Sequence, residues 1–369
     1  MAGEPRGLSL CCWSSSSMRI PQSKPLLTKD DFDYIDQILR THQVAEGPQV
    51  EALEKAFCLF LRVQHAIAVS TGTAGIHLAL MALGMGPGDE VIVPSYVCAN
   101  VLNAIHQTGA EPSLVDIDLA HFNPAPDIIR SAITPKTRAV IVTHTFGFPA
   151  DLQPIIDMGI PVIEDCAQSL GARYDDHPVG SLGRLSVFSF HATKIICSGE
   201  GGIVCTNDKA LADTLRDLNT PDMRSSYKVR CNYRMSDLTA GLALSQFQKL
   251  QSFVQRRREI ARRYDEVSLK FGMSTQLAIP NSVPVYYRYV ILSDHADSLI
   301  RETRGAGIFC DRPVYCPGHR YLKLNPHPKF TGTEAVWRDG VSVPIWPGLS
   351  DREVSYIISV LGETLERIA

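Results

Sequence analysis

The segment 184–202 brings four chemically capable side chains close together. An apolar run at 185–190 predicts a buried strand. Ser189, His191, Thr193 and Lys194 lie at its end, and a glycine-rich turn, GEGG, follows at 199–202. A strand end fixes the backbone and glycine lets a ligand approach closely, so this is a favourable place for a reactive group. Desolvation would make Lys194 a nucleophilic amine, although an isolated lysine is more commonly a solvated charge.

Two upstream segments favour a reactive Lys194 over a solvated one. An apolar strand at 161–165 ends in Asp165, and the turn STGTA at 70–74 begins a helical pattern. A lysine can hold the aldehyde of pyridoxal phosphate as a Schiff base, while a carboxylate keeps the pyridine nitrogen protonated. A glycine turn that feeds a helix N-terminus presents backbone N–H groups to a phosphate. Each part is a weak signal, but their order along the chain predicts a pyridoxal phosphate site.

Six motifs in sequence resemble the DegT/DnrJ/EryC1/StrS aminotransferases, which are pyridoxal-phosphate sugar aminotransferases of fold type I. The likeness runs from about residue 20 to residue 362. The motifs are STGTAGIHLAL (70–80), GDEVIVPSYVCAN (88–100), IEDCAQSLGA (163–172), SFHATK (189–194), GEGGIVCTND (199–208) and NYRMSDLTAGLALSQ (232–246). The resemblance implies an enzyme that moves an amino group from an amino acid, commonly glutamate, to a keto group of a nucleotide-linked sugar.

The resemblance also implies a role for each matching residue. Lys194 corresponds to the Schiff-base lysine, which also shuttles a proton, and Asp165 to the partner of the pyridinium nitrogen. His191 either orients Lys194 in catalysis or only packs, and both possibilities stay open. The residues expected to contact the cofactor are Gly72, Thr73, Ala74, Cys98, Asp165, Gln168, Ser189 and Lys194.

In the resembling family two subunits share their active sites. We therefore expect a homodimer in which Asn232 and Arg234 reach the cofactor phosphate of the partner subunit. The alternative is that Arg234 forms only an ion pair at its own surface. Tyr315 and His319 lie in a segment that resembles a substrate-binding region, although the match is loose.

Cys98 departs from the family pattern, because many members carry an aromatic residue there that stacks on the cofactor. Either this face of the ring is less covered, or Tyr96 replaces the missing aromatic. A second departure is His42-Gln43, where a glycine-aromatic pair is common.

Two other functions on the same fold are disfavoured by the residues present. A cofactor-dependent sugar dehydratase is disfavoured, because that branch carries histidine at the position of Lys194. A non-catalytic regulatory protein is disfavoured, because Lys194, Asp165, Gln168 and Ser189 are all retained.

Composition excludes several other classes of protein. The formal net charge of −3 argues against a nucleic-acid surface, and no apolar run is long enough to span a membrane. The ten cysteines include no CxxC pair, which predicts reduced residues in a cytoplasmic protein. His144 has no second ligand at a metal-binding spacing, so no metal site is expected.

Strands that alternate with helical lengths predict an α/β fold with a mostly parallel sheet covered by helices on both faces. We expect a disordered extension at 1–18, a large cofactor-binding domain at 19–250 and a small C-terminal α+β domain at 251–369. A single long helix is expected from Ser236 to about Phe271. The predicted strands of the large domain are 91–94, 113–116, 139–143, 162–165, 185–190 and 202–206.

Overall fold

The computed structural model describes residues 18–324 and 329–368 of the 369-residue chain. Apart from Met18, the predicted extension lies outside the described residues. The helices are α1 Lys29–Arg40, α2 Pro48–Leu61, α3 Gly72–Ala82, α4 Ala99–Gln107, α5 Pro126–Ala132, α6 Gln153–Ile156, α7 Lys209–Leu218, α8 Asp237–Phe247, α9 Leu250–Lys270, α10 Ala296–Gly305, α11 Gly318–Tyr321, α12 Thr331–Asp339 and α13 Asp351–Ile368, with a 3-10 turn at Thr145–Gly147. The strands are β1 His65–Val69, β2 Glu90–Pro94, β3 Glu111–Val115, β4 Thr137–Thr143, β5 Val162–Asp165, β6 Arg173–Tyr174, β7 His177–Pro178, β8 Leu185–Ser189, β9 Gly202–Thr206, β10 Ser274–Thr275, β11 Ser282–Val283, β12 Tyr289–Leu292 and β13 Gly340–Val343.

A seven-stranded sheet organises the first two thirds of the chain, in the order β1-β9-β8-β5-β4-β2-β3. Neighbouring strands from β8 through β3 are parallel, whereas β9 is antiparallel to both β1 and β8. Successive residues of a strand face opposite sides, so Ile92 packs in one hydrophobic cluster while Val91 and Val93 pack in another. Both faces of the sheet are therefore covered, and the predicted fold class is confirmed.

A smaller unit follows α9, in which β10, β12 and β13 form an antiparallel sheet. Its core also contains Ile20, which bridges to Ile308 near the other end of the chain. Helix α9 joins the two units, because Phe253 packs in the core of the large sheet and Tyr264 in the C-terminal core. The boundary at 250–251 stays a prediction, and Ile20 packs on the C-terminal side of it.

The expected single helix from Ser236 to Phe271 is wrong in one respect, because the structure has two helices, α8 and α9. At the break, Gln246 and Lys249 both donate to Asp31, at 3.0 and 2.5 Å. Asp31 also closes the capping box of α1 by accepting from the backbone N–H of Thr28. One buried carboxylate thus ties α1 to the end of α8 and to Lys249, the residue before α9. None of the helices in residues 18–324 and 329–368 is long and apolar enough to cross a bilayer.

Candidate active site

Polar side chains collect where the parallel strands of the large sheet end. Ser95 follows β2, His144 follows β4, Asp165 ends β5 and Ser189 ends β8. Thr143 of β4 is paired in register with Asp165 of β5, so the ends of these strands lie side by side. Ligands of open α/β sheets bind beyond the carboxyl ends of the strands, which makes this edge the candidate site.

The N-terminus of α3 lies beside the end of β8. Thr71 caps the helix by accepting from the backbone N–H of Ala74 at 3.0 Å. A Cβ atom on Gly72 would lie only 2.9 Å from Cβ of Ser189, so glycine is what permits this close approach. The first N–H groups of a helix have no acceptor within it, which leaves those of Gly72 and Thr73 for an anion.

Lys194 lies in the loop after β8, and its backbone N–H donates to the carbonyl of His191 at 2.9 Å. Its ammonium is 5.0 Å from the centroid of the Tyr287 ring. The Tyr287 hydroxyl is 3.3 Å from Oγ1 of Thr193. The lysine is therefore held against a buried aromatic ring that comes from the C-terminal part of the chain.

Asp165 is buried, and burial raises the pKa of its carboxyl group, although the backbone N–H of Ala167 and the charge of Lys194 act in the opposite direction. Its Oδ1 accepts from Ala167 at 3.1 Å. Within residues 18–324 and 329–368 no hydrogen-bond donor reaches Oδ2. A buried carboxylate with a free oxygen favours a cationic partner, because the charged form must be compensated.

Two cavities share Cys98, Asp165, Ala167 and Lys194 in their linings. One, of about 440 Å³, extends to the start of α3 and to Ser189. The other, of about 220 Å³, extends to C-terminal residues that include Tyr287, Arg288 and Tyr315. The four shared residues thus lie between the larger cavity, next to the N-terminus of α3, and the smaller cavity, which C-terminal residues enclose.

Gln168 and Cys98 both line the smaller cavity, as does the ring of Tyr96. Oε1 of Gln168 accepts from the backbone N–H of Phe146 at 2.7 Å. Tyr96 is 2% exposed and packs edge-on against Phe146, with centroids 5.9 Å apart. Cys98 is exposed to both cavities, so the thiol rather than the Tyr96 ring is the more accessible of the two.

His144 is surrounded by more potential ligands than the sequence suggested, since Glu164 and Cys166 lie with it within 4.8 Å. Hydrogen bonds already use these atoms. Nδ1 of His144 accepts from the backbone N–H of Ala150, so Nε2 carries the proton and donates to Glu164 at 3.1 Å. The Glu164 carboxylate also accepts from three backbone N–H groups, those of Gly180, Leu182 and Gly183. This is the bonding of a structural network and not of a metal site.

Two other predicted residues, His191 and Tyr315, are exposed. His191 is exposed, and its ring contacts Thr193 at 3.0 Å and approaches Glu200 at 3.9 Å. Tyr315 lines the smaller cavity and is 89% exposed. The catalytic role of His191 and the substrate role of Tyr315 stay predictions.

His319, which was expected to contact the substrate, has a fully buried side chain, and its substrate role stays a prediction. Its Nδ1 is 2.6 Å from Oγ of Ser95, and its Nε2 is 2.6 Å from Glu334. The ring also stacks on Phe330 at 4.4 Å. His319 therefore joins the loop after β2 to α12, and it reaches neither cavity directly.

Asn232 and Arg234 are exposed and line neither cavity of their own chain. Arg234 donates to Asn232 at 3.4 Å and lies 3.8 Å from Glu46. Between them, the carbonyl of Tyr233 accepts from the backbone N–H of Ser70 at 2.7 Å. The segment is thus fixed next to the start of α3, and its two polar side chains lie outside the cavities of their own chain. Their contact with the cofactor phosphate of a partner subunit stays a prediction.

Comparisons with known proteins agree with this arrangement. The sequence model of the DegT/DnrJ/EryC1/StrS aminotransferase family matches residues 25–362. The chain belongs to this family. GDP-perosamine synthase of Escherichia coli O157:H7 is 33% identical over 360 residues, which cover 93% of this chain and 98% of that protein.

Solved structures of aminotransferases share the fold. The aminotransferase TlmJ from Streptoalloteichus hindustanus superposes with a TM-score of 0.91 at 30% identity, covering 95% of this chain and all of that one. S. venezuelae DesV, solved in complex with a ketimine intermediate, gives 0.88 at 29% identity with the same coverage. The chain is an aminotransferase of fold type I, and its cofactor is pyridoxal phosphate.

The residues of the site fit this cofactor. Lys194 supplies an amine, the free oxygen of Asp165 can accept from a protonated ring nitrogen, and the N-terminus of α3 suits a phosphate. The tight contact between Gly72 and Ser189 keeps that helix end open to the larger cavity. Sequence reasoning overlooked Tyr287 and Arg288, although the run YYRY at 286–289, an arginine among tyrosines before a strand, is an unusual signal.

Proposed function

We propose that this enzyme transfers the amino group of an amino acid, with glutamate as the expected donor, to a keto group of a nucleotide-linked sugar. The observation that carries the proposal is the wall shared by the two cavities, where Lys194 and the buried Asp165 meet. The E. coli relative is named for a GDP-linked product, which supports a nucleotide-linked sugar as acceptor. Eight free cysteines among the described residues support a cytoplasmic location.

Lys194 is the residue proposed to bond to the cofactor and to carry the proton. Lys194 lines both cavities, so its amine is placed to take a proton on one side of the reaction and return it on the other. Pyridoxal phosphate, when bound, supplies an aldehyde that accepts an amino group and a ring that takes up electrons. Tyr287 below the ammonium keeps water from one side of Lys194.

Asp165 and α3 are proposed to hold the two ends of the cofactor. A carboxylate against a ring N–H favours the protonated nitrogen, and two unit charges about 4 Å apart are worth roughly 4 kcal/mol at an effective dielectric of 20. The N–H groups of Gly72 and Thr73, together with the Ser189 hydroxyl, are the proposed phosphate ligands.

The amino donor and acceptor are tested in two stages. Purified protein with pyridoxal phosphate should show a visible cofactor band that disappears on adding L-glutamate. A panel of nucleotide-linked 3-keto and 4-keto sugars, with GDP-linked members, should then restore the band for the true acceptor. Borohydride reduction followed by peptide mass spectrometry should place the cofactor mass on Lys194. No response to any amino acid, or label on another lysine, would contradict the proposal.

The second part of the proposal is a homodimer with shared sites. Asn232 and Arg234 lie exposed beside the start of α3, where they are free to serve a neighbouring subunit. A phosphate gains from further donors, since charge-assisted hydrogen bonds are about twice as strong as neutral ones.

Complementation between two inactive chains tests this arrangement. We expect Lys194→Ala to be inactive and the double variant Asn232→Ala, Arg234→Ala to be strongly impaired. After subunit exchange between equal amounts, about a quarter of the sites should be intact, because each mixed dimer has one site with both lesions and one with neither. The control is Arg224→Ala, an exposed arginine that pairs with Asp217 instead. Full activity of the double variant, or no recovery after verified exchange, would rule out shared sites.

A further inference from the structure

Arg288 occupies a distinctive place in the smaller cavity. Among the described residues that line the two cavities it is the one arginine, and it shares the smaller cavity with Lys194 and Asp165. It lies immediately before β12, the middle strand of the C-terminal sheet. A guanidinium inside a catalytic cavity needs a physical reason, because burial of a charge is costly.

The backbone around Arg288 is fixed by the turn that follows β4. The carbonyl of Phe146 accepts from the backbone N–H of Tyr287 at 2.9 Å and of Arg288 at 3.4 Å. Phe146 itself has a positive φ of 56° and donates its N–H to Gln168. A residue other than glycine in this region is uncommon and costs energy, and it occurs chiefly where the surroundings enforce it. The turn thereby sets the position of Arg288 relative to the ends of the parallel strands.

The side chain of Arg288 is oriented by the same ring that supports Lys194. Its guanidinium carbon is 5.3 Å from the centroid of Tyr287, and the Lys194 ammonium is 5.0 Å from that centroid. Within the described residues, the guanidinium donates one side-chain hydrogen bond, to Oγ of Ser342 at 3.4 Å. That bond is long, so most of the donors on the guanidinium remain available.

No carboxylate of residues 18–324 and 329–368 lies within ion-pair distance of Arg288. Other arginines of this part of the chain are satisfied differently. Buried Arg257 donates to three backbone carbonyls, and Arg312 pairs with Asp297. A half-buried guanidinium with free donors and no counter-charge is what a site for a planar anion requires, because two parallel N–H bonds match a carboxylate.

We propose that Arg288 binds the α-carboxylate of the amino donor. This inference rests on the proposed function, because it assigns one group of its first substrate. The α-carboxylate is bonded to the same carbon as the reacting amino group, so it must lie close to Lys194. Arg288 meets this condition, since both cations contact one ring.

The diphosphate of the nucleotide-linked sugar is the other anion that could reach this cavity. Its phosphates are separated from the reacting keto carbon by part of the sugar ring and the glycosidic oxygen. A cation that shares the Tyr287 ring with Lys194 therefore suits the carboxylate better than the diphosphate. If Arg288 binds the α-carboxylate, its substitution weakens binding of the amino donor. If it binds the diphosphate, its substitution weakens binding of the nucleotide-linked sugar.

The test compares Arg288→Gln and Arg288→Lys with wild type and with a matched control. The control is Arg258→Gln, because Arg258 is also half-buried but donates to the carbonyl of Pro284 and lines neither cavity. Loss of the cofactor band is followed against the concentrations of L-glutamate, L-glutamine and L-isoglutamine. The last compound carries a neutral amide in place of the α-carboxylate. Thermal unfolding of each variant checks that the fold is retained.

Arg288→Gln should bind glutamate and glutamine about ten- to hundredfold more weakly, as expected for the loss of hydrogen bonds to a charged group. Isoglutamine should bind weakly to wild type and equally weakly to the variant. Arg288→Lys should recover part of the affinity, since it retains the charge but not the paired donors. The control variant should match wild type throughout. Calorimetric titration of the cofactor-loaded variants with glutarate, a dicarboxylate without an amino group, gives a binding readout that requires no turnover.

Four outcomes would overturn the inference. The first is an unchanged affinity of Arg288→Gln for glutamate. The second is a loss of affinity for isoglutamine as large as the loss for glutamate. Loss confined to the nucleotide-linked sugar would assign Arg288 to the diphosphate. If Arg288→Gln does not fold, a glutamate affinity in Arg288→Lys equal to that of wild type would refute the role of the paired donors. Failure of wild type to respond to any amino acid would instead contradict the proposed function, and it is seen before any variant is measured.

Discussion

Tyr287 is expected to ionise at a pH well below that of an ordinary tyrosine. Its burial alone would raise the pKa of the phenol, but the charges of Lys194 and Arg288, a hydrogen bond from Thr193 and the charge of Arg257 together lower the pKa to about 8. At pH 7 about one tenth of the molecules would then carry a phenolate at this position. The group titrates in the range where such an enzyme is assayed.

The size of the effect follows from the cations around the ring. A pKa near 8 instead of 10 corresponds to about 2.7 kcal/mol in favour of the phenolate in the folded chain. Because the folded pKa is the lower one, this stabilisation is complete only above pH 10 and is lost as the pH falls through 8. At pH 7 the ionisation of Tyr287 contributes almost nothing to stability. Tyr287→Phe should therefore remain folded, and it should lose only the packing and the one hydrogen bond to Thr193 that the hydroxyl provides.

The assay is a titration of tyrosinate absorbance in the near ultraviolet, with cofactor-free protein. Of the 12 tyrosines, the neighbours Tyr264, Tyr286 and Tyr289 have pKa values raised by burial, so a step near pH 8 stands apart from them. Tyr287→Phe should remove that step. Lys194→Ala should move it upward, because Lys194 is the largest of the lowering influences. A step near pH 8 that persists in Tyr287→Phe, or its absence from wild type, would refute the reasoning.

Two further predictions concern carboxylates. Asp165→Asn should lower kcat by several orders of magnitude even when saturated with cofactor, because the charge that favours a protonated ring nitrogen is lost and the shape is kept; near-normal kcat at saturation would exclude the assigned role. Burial raises the pKa of Asp31, but hydrogen bonds from Lys249, Thr28, Ser245 and Gln246 lower it to about 2. Asp31→Asn should therefore cost about 1–2 kcal/mol of unfolding free energy at pH 7, and the difference should shrink as the pH falls from about 4 toward 2, which urea unfolding at both pH values would test.

The large sheet could be predicted well because most of its strands are short, apolar and buried. The predicted bounds 162–165 and 202–206 are those of β5 and β9. Strand β1 was missed, since HAIAV at 65–69 directly precedes the glycine turn and the helical pattern of α3 dominates that region. The break between α8 and α9 was also missed, because no glycine or proline marks it and the buried Asp31 that Gln246 and Lys249 contact lies about 215 residues earlier.

The candidate site was predictable where local motifs carry the chemistry. Lys194, Asp165 and the start of α3 are each recognisable within a few residues, and the parallel sheet brings them together. The contact of His319 with Ser95 could not be predicted, because the two residues are 224 positions apart and no local pattern indicates it. The same limit applies to Tyr287 and Arg288, whose positions depend on the carbonyl of Phe146 in a distant turn.

The charges of the smaller cavity connect the phenol of Tyr287 with the proposed carboxylate site. Lys194 and Arg288 are opposed there by Asp165, so a neutral phenol leaves an excess of positive charge among the described lining residues. An anion bound at Arg288 would offset that excess and weaken the pull of both cations on the phenolate. The pH midpoint of the Tyr287 phenol titration should therefore rise from about 8 when cofactor-free protein is titrated in the presence of glutarate. The rise should be absent in Arg288→Gln and present in Arg258→Gln. An unchanged midpoint at a glutarate concentration that calorimetry shows to be saturating would mean that the dicarboxylate binds away from this pair of cations.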